Sequence, residues 1–239
     1  MEQSYPAKKM SLKTEIFSSA DQVAEKAAAY IEHLIRQTLT QKKTFSMAIS
    51  GGRTPWEMLK ILSKASLPWQ RVNLFQVDER IAPEGHADRN LTQLFQTIEG
   101  SPLVTRLRIF PMPVTAEDLD LASQEYANLI HEITEGEGLD LIHLGMGSDG
   151  HTASLVPGDA VLAVTDREVA CTQNLYQGRI RMTLTYPLLN SAKQILWIVT
   201  GAEKQEMVQR LLKQDTSIPA GIVNQANALL MMDSAAFGN

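Results

Sequence analysis

Cysteine is almost missing from this sequence. One thiol, Cys171, among 239 residues excludes an intrachain disulfide and any multi-cysteine metal site, and it fits a reducing cytoplasm. No apolar run reaches the roughly 18 residues that a membrane span requires. The opening residues, MEQSYPAKKMSLKTEIF, show no apolar stretch followed by a cleavage signal. Positive charge is not in excess either. The chain has 22 Lys and Arg against 27 Asp and Glu, a formal charge of −5, which argues against a general nucleic-acid binder while allowing a local basic pocket. No internal repeat, low-complexity tract or Pro/Gly/Ser-rich linker interrupts the chain, so residues 1–239 read as a single domain. What is present, 44% hydrophobic and 21% charged residues, is ordinary globular composition. The expectation is a soluble cytoplasmic protein with neither nucleic-acid nor membrane partners.

Two kinds of segment alternate along the chain. Apolar residues at Val23, Ala27, Tyr30, Ile31, Leu34 and Ile35 keep helical spacing and predict a helix from Asp21 to about Gln41. FSMAIS, from Phe45 to Ser50, predicts a short buried strand stopped by Gly51 and Gly52. Thr54-Pro55 then reads as a helix start, with a hydroxyl N-cap and proline at the first helical position. The same arguments predict strands at Val72–Val77, Leu107–Phe110, Leu139–Leu144 and Gln194–Thr200, with weaker ones at Val169–Thr172 and Met182–Thr185. Helices are expected near Asn90–Ile98, Ala116–Thr134 and Glu203–Lys213. Short apolar strands between amphipathic helices imply crossover connections. The predicted class is α/β, a doubly wound, mainly parallel, Rossmann-like sheet with helices on both faces. Ligands of such sheets bind beyond the carboxyl ends of the strands.

Four loops at those ends carry polar residues. In Ser50-Gly51-Gly52-Arg53-Thr54-Pro55, two glycines allow close backbone approach ahead of a helix N-terminus, an arrangement suited to phosphate. It also reads as a plain strand-to-helix turn, and it lacks both the P-loop lysine and the dinucleotide glycine spacing. Asp78-Glu79-Arg80 reads as an ion-paired strand end, or as an anion clamp with Arg80 steadied by a neighbouring carboxylate. The third loop runs Gly145-Met-Gly147-Ser-Asp149-Gly-His151-Thr-Ala-Ser154-Leu-Val156-Pro-Gly158. In it Asp149 can orient and stabilise His151, a natural general base near neutral pH. No Gly-x-Ser-x-Gly elbow surrounds Ser154, so a nucleophilic serine is disfavoured. One His and one Asp are too few for a catalytic zinc site. Last, Arg179 and Arg181 precede a predicted strand, and Lys204 sits early in a helix, where a cation opposes the macrodipole. It is either a solvated lysine or a hint of an anionic ligand.

As an ordered set these motifs resemble the 6-phosphogluconolactonase family, within the wider group that includes glucosamine-6-phosphate deaminases. The matching residues are Ser50-Gly-Gly-x-Thr-Pro55, Asp78-Glu-Arg80, the Gly145–Gly158 segment, Arg181-x-Thr-Leu-Thr185 and Gly201-x-x-Lys204. They span about Phe45 to Leu212. The resemblance implies the deaminase-like fold and hydrolysis of 6-phosphoglucono-1,5-lactone in the pentose phosphate pathway, with no metal or cofactor. It further implies His151 as the base that activates water and Asp149 as its support. Ser50, Gly51, Gly52, Thr54, Arg80, Arg181 and Lys204 are the expected phosphate and substrate contacts. Gly147 is a further expected substrate contact, and backbone N–H groups of the glycine-rich loops are the candidate oxyanion donors.

Three segments depart from the family pattern. His86-Ala-Asp-Arg89-Asn90 replaces a usual Asp-Ser-Asn ending, Tyr186-Pro187 a usual Leu-Pro, and Val156 a common Phe. In the related deaminases the Asp-Gly-His turn runs on to a glutamate that assists ring opening. Val156 stands in that place here, so deaminase or isomerase chemistry is the lesser reading. A non-catalytic sugar-phosphate sensor would not need both Asp149 and His151.

Overall fold

A computed structural model describes residues 12–238; the reading of the first 11 residues as free of a cleavage signal lies outside the described residues. The main sheet has seven strands: β1 (Lys13–Phe17), β2 (Phe45–Ile49), β3 (Val72–Gln76), β5 (Arg108–Phe110), β6 (Leu141–Leu144), β9 (Ile195–Val199) and β10 (Ala228–Asp233). Their order is β1-β10-β9-β6-β2-β3-β5, and every neighbouring pair is parallel. The expected doubly wound α/β sheet is therefore present. From β2 the chain winds outward through β3 to β5, then returns to β6 on the other side and winds toward β10. The switch in direction falls between β2 and β6, where such sheets open a ligand crevice.

The central strands are buried throughout and mainly apolar because both faces are covered. Phe45, Met47 and Ile49 of β2 pack into one core with Val23, Ile31 and Ile35 of helix α1 (Ala20–Thr38) and Met58, Leu59 and Leu62 of α2 (Arg53–Leu62). Ala48 points the other way. It joins a second core with Trp197 of β9, Tyr126 and Ile130 of the Leu119–Ile133 helix, and Val208 and Leu211 of the Gln205–Leu212 helix. The period-2 alternation of a strand thus feeds two cores from one segment. Ser19 starts α1 by accepting from the Gln22 N–H at 3.3 Å, as a hydroxyl N-cap should.

Three findings correct the sequence reading. Asp78–Arg80 is a strand, β4, not a loop; with β7 (Val169–Cys171) and β8 (Arg181–Leu184) it forms a separate antiparallel sheet in the order β4-β8-β7. The terminal strands β1 and β10 were not anticipated. Their pairing joins opposite ends of the chain, information no local pattern holds. Thr54 is not an N-cap: α2 begins at Arg53 after Gly52, without a side-chain cap. The Thr54 hydroxyl instead bonds Thr200 Oγ1 at 2.8 Å and ties the turn after β2 to the end of β9. Among the described residues, no helix is long and apolar enough to cross a membrane.

Candidate active site

A cleft of about 560 Å³ lies over the carboxyl ends of β2, β6, β9 and β10, and every expected site residue except Asp149 lines it. Ser50, Gly51 and Gly52 follow β2; Gly147, Asp149 and His151 follow β6; Lys204 follows β9. Arg80 and Arg181 enter from the small antiparallel sheet. Only Asp149 stands back from the wall, behind His151.

The turn after β2 presents the N–H groups of Gly51, Gly52 and Arg53, which have no acceptor among the described residues. They are the orphan donors of a helix start. Gly52 holds φ +143°, and a Cβ on Gly51 would strike Asn90 Oδ1, so the glycine pair is required sterically. Behind the turn, the Ser50 N–H donates to His143 Nδ1 at 3.3 Å, and Ser50 Oγ donates to the His143 carbonyl at 3.3 Å. Burial pushes the His143 pKa down to about 3, below the ordinary value near 6.5, so the ring is neutral and can accept. The unfolded chain then binds a proton that the folded one refuses. The associated stability is complete above about pH 6.5 and is lost as pH falls toward the folded pKa, by up to about 1.4 kcal/mol per pH unit. Denaturation of wild type and His143→Gln between neutral and acid pH is expected to show the steeper loss in wild type; parallel curves would mean that the fold accepts imidazolium.

Arg80 and Arg181 are direct cross-strand partners on β4 and β8. Like charges so placed repel, and the surroundings compensate only in part. The Arg181 guanidinium lies 3.9 Å from Asp78 Oδ2 and donates to Gln177 Oε1 at 2.9 Å. Burial first, then the nearby Arg80 charge, hold its pKa below the usual guanidinium value against the opposing pull of Asp78. Arg80 donates to the Asp88 carbonyl at 2.8 Å and to Asn90 Oδ1 at 2.7 Å, and makes no ion pair among the described residues. The expected carboxylate clamp on its guanidinium is absent. Glu79, fully buried, instead accepts from the Arg80 N–H at 2.8 Å and from the Asn90 and Leu91 N–H groups at 2.7 and 2.8 Å. It thereby caps helix α3 (Asn90–Ile98) and fixes the strand that carries Arg80. Lys204 also makes no ion pair among the described residues. Two guanidiniums and an ammonium face one wall of orphan N–H groups, a surface electrostatically prepared for a multiply charged anion.

In the loop after β6, Asp149 Oδ1 lies 2.6 Å from His151 Nδ1 and also accepts the His151 N–H at 3.2 Å. Burial raises the Asp149 pKa, but the hydrogen bond and charge of His151 outweigh it, so the carboxyl titrates below its ordinary value. An ionised Asp149 assigns the proton to Nδ1 and leaves Nε2 as a lone-pair base, with no protein partner among the described residues. Gly147 makes this approach possible, since a Cβ there would collide with Nδ1 of His151 and Oδ1 of Asp149. The Gly147 N–H donates to the His151 carbonyl at 2.8 Å. That N–H therefore serves the loop, while Gly147 itself lines the cleft. Ser154 is fully buried and donates to Asp78 Oδ2 at 2.6 Å; it is structural, in line with the absence of an elbow around it. No group of three or more His, Cys, Asp or Glu side chains is placed to hold a metal ion among the described residues.

Sequence reasoning overlooked three contributors. Asp233 ends β10 and accepts the Gly201 N–H at 3.0 Å, fixing a turn held at φ +101°. The run ALLMMD before a short helical Ser-Ala-Ala-Phe is a legible signal for a strand ending in a capping acid. Asn90, which bridges Arg80 and the Asp78 carbonyl, sits in a quoted motif but shows its role only in three dimensions. Tyr176, which touches the dyad, carries no sequence signal.

The family profile described as glucosamine-6-phosphate isomerases/6-phosphogluconolactonase matches residues 18–232. A 6-phosphogluconolactonase of Synechocystis sp. is 30% identical, over 90% of this chain and 92% of that protein. The crystal structure of 6-phosphogluconolactonase from Thermotoga maritima is 26% identical and superposes with a TM-score of 0.80 over 92% of this chain and 99% of its own. A monomeric glucosamine-6-phosphate deaminase, 18% identical, gives a TM-score of 0.78 over 95% of this chain and 99% of its own, so the fold is common to both chemistries and does not choose between them. By profile, sequence and fold, this chain belongs to the glucosamine-6-phosphate isomerase/6-phosphogluconolactonase family.

Proposed function

We propose that this chain, as one α/β domain, is a 6-phosphogluconolactonase that hydrolyses 6-phospho-D-glucono-1,5-lactone to 6-phospho-D-gluconate in the oxidative pentose phosphate pathway. The observation that carries this reading is a single cleft lined by His151 of the Asp149–His151 dyad and by the Arg80–Arg181 pair. Nε2 of His151 takes a proton from water as the water oxygen attacks the lactone carbonyl carbon. Asp149 holds the ring in the required tautomer and stabilises the imidazolium. Collapse of the tetrahedral oxyanion breaks the ring ester bond, and the proton passes from His151 to the departing sugar oxygen. Arg80, Arg181, Lys204 and the Gly51-Gly52 turn hold the phosphate, remote from the bond broken, so its binding energy positions the lactone. Val156, in place of a ring-opening acid, supports hydrolysis over deamination.

The substrate is a small sugar-phosphate lactone in the cytoplasm, and the mildly acidic surface suits neither nucleic acid nor membrane. Lactone hydrolysis measured above the spontaneous rate tests the assignment; a rate equal to the uncatalysed one would overturn it. Exhaustive chelation is expected to leave turnover unchanged, because each proposed step uses side chains of this chain. Loss on chelation with recovery on adding a divalent ion would refute that.

A further inference from the structure

An aromatic residue beside the cleft touches both the Asp149–His151 dyad and Arg181. Tyr176 donates its hydroxyl to Asp149 Oδ2 at 3.1 Å, and the same oxygen lies 3.2 Å from His151 Nδ1. The phenol ring meets the imidazole edge to face, centroids 5.1 Å apart at 65°. The Arg181 guanidinium sits over that same ring, its Cζ 4.9 Å from the centroid. The Tyr176 carbonyl and Gln177 Oε1 accept from the same guanidinium at 3.4 and 2.9 Å. One residue thus bonds the base pair through its hydroxyl and the anion-binding arginine through its ring and backbone.

The backbone explains how it stays there. Gln177 and Gly178 hold φ of +53° and +79°, and Tyr176 and Arg179 exchange N–H···O bonds of 2.9 and 3.3 Å. Two successive left-handed residues inside such a closure form a type I′ hairpin, whose twist matches that of the strands it joins. Arg179 anchors the far side of the turn to Asp88 at 3.1 Å. Burial, and next the Asp149 charge, raise the phenol pKa, so at neutral pH the hydroxyl remains a donor.

We propose that Tyr176 is a positioning residue for the reaction, its hydroxyl locking Asp149 so that Oδ1 faces His151 and its ring holding Arg181 toward the substrate anion. This rests on the reading of His151 as the base. The carboxylate has two oxygens and free rotation about its bond to Cβ; a donor on Oδ2 leaves Oδ1 aimed at the imidazole. The two halves of the role separate by substitution. Tyr176→Phe removes only the hydroxyl and is expected to lower kcat about ten-fold, the low end for a hydrogen bond to a charged group, with KM unchanged. Tyr176→Leu removes the ring as well and is expected to add a rise in KM of about three- to five-fold for the phosphorylated lactone, from the lost cation–π contact.

Wild-type kcat in Tyr176→Phe, or a raised KM with kcat intact, overturns the proposal. A KM in Tyr176→Leu equal to that of Tyr176→Phe overturns its second half. His151→Ala measured alongside keeps the two readings apart. If that variant turns over normally, the base assignment itself fails. If it is inactive while Tyr176→Phe is normal, only the role given to Tyr176 fails.

Discussion

His151→Ala is expected to lower kcat by about 100- to 10,000-fold, the span usual for a lost general base, while KM for the phosphorylated lactone stays close to wild type. The size follows from geometry. Nε2 is the basic atom of the dyad without a partner among the described residues, Asp149 already occupies Nδ1, and Ser154 is buried against Asp78 and cannot substitute. Affinity should survive because the cationic groups sit on other elements: Arg80 on β4, Arg181 on β8 and Lys204 after β9. Initial rates corrected for spontaneous opening of the lactone measure the effect. Turnover within a few-fold of wild type would rule out His151 as the base, and with it the mechanism.

Arg181→Ala and Lys204→Ala are each expected to raise KM for the phosphorylated lactone about ten- to a hundred-fold, the equivalent of roughly 1.5–3 kcal/mol for a charge-assisted contact. Neither should much change the residual hydrolysis of unphosphorylated glucono-1,5-lactone, which presents no anion to hold. The ratio of the two substrates' kcat/KM values within each variant is the measurement. It cancels any loss of folded enzyme, which matters for Arg181 because that side chain is buried and lies near Asp78. Removing Arg181 also relieves its repulsion with Arg80, so part of the lost attraction returns; Lys204, without an ion partner among the described residues, has no such compensation. If both substrates lose activity in equal proportion, these residues act on the lactone or on the fold, and the clamp assignment is wrong.

The amino-acid order by itself determined the class of fold and the chemistry of the loops. Phe45–Ile49, Leu141–Leu144 and Ile195–Val199 are legible as buried parallel strands because covering both faces demands mainly apolar runs, broken here only by Ser46 and His143. Asp149 and His151 are legible as a pair because two residues of separation in a glycine-rich turn already bring carboxylate and ring within reach; a local contact is written in local sequence. The anion wall was legible only as a set of residue types. Two strands too short to show periodicity, β4 and β8, place Arg80 directly across from Arg181, and their antiparallel pairing joins residues about a hundred apart. For the same reason the pairing of β1 with β10 is not legible, since it joins opposite ends of the chain. Asn90 in place of a carboxylate beside Arg80, the spent N–H of Gly147, the Thr54 link to Thr200 and the hydroxyl of Tyr176 on Asp149 were decided by tertiary structure alone. A hydrogen bond needs its partners within about 3 Å and aligned, and only the folded chain sets which distant donor meets which acceptor.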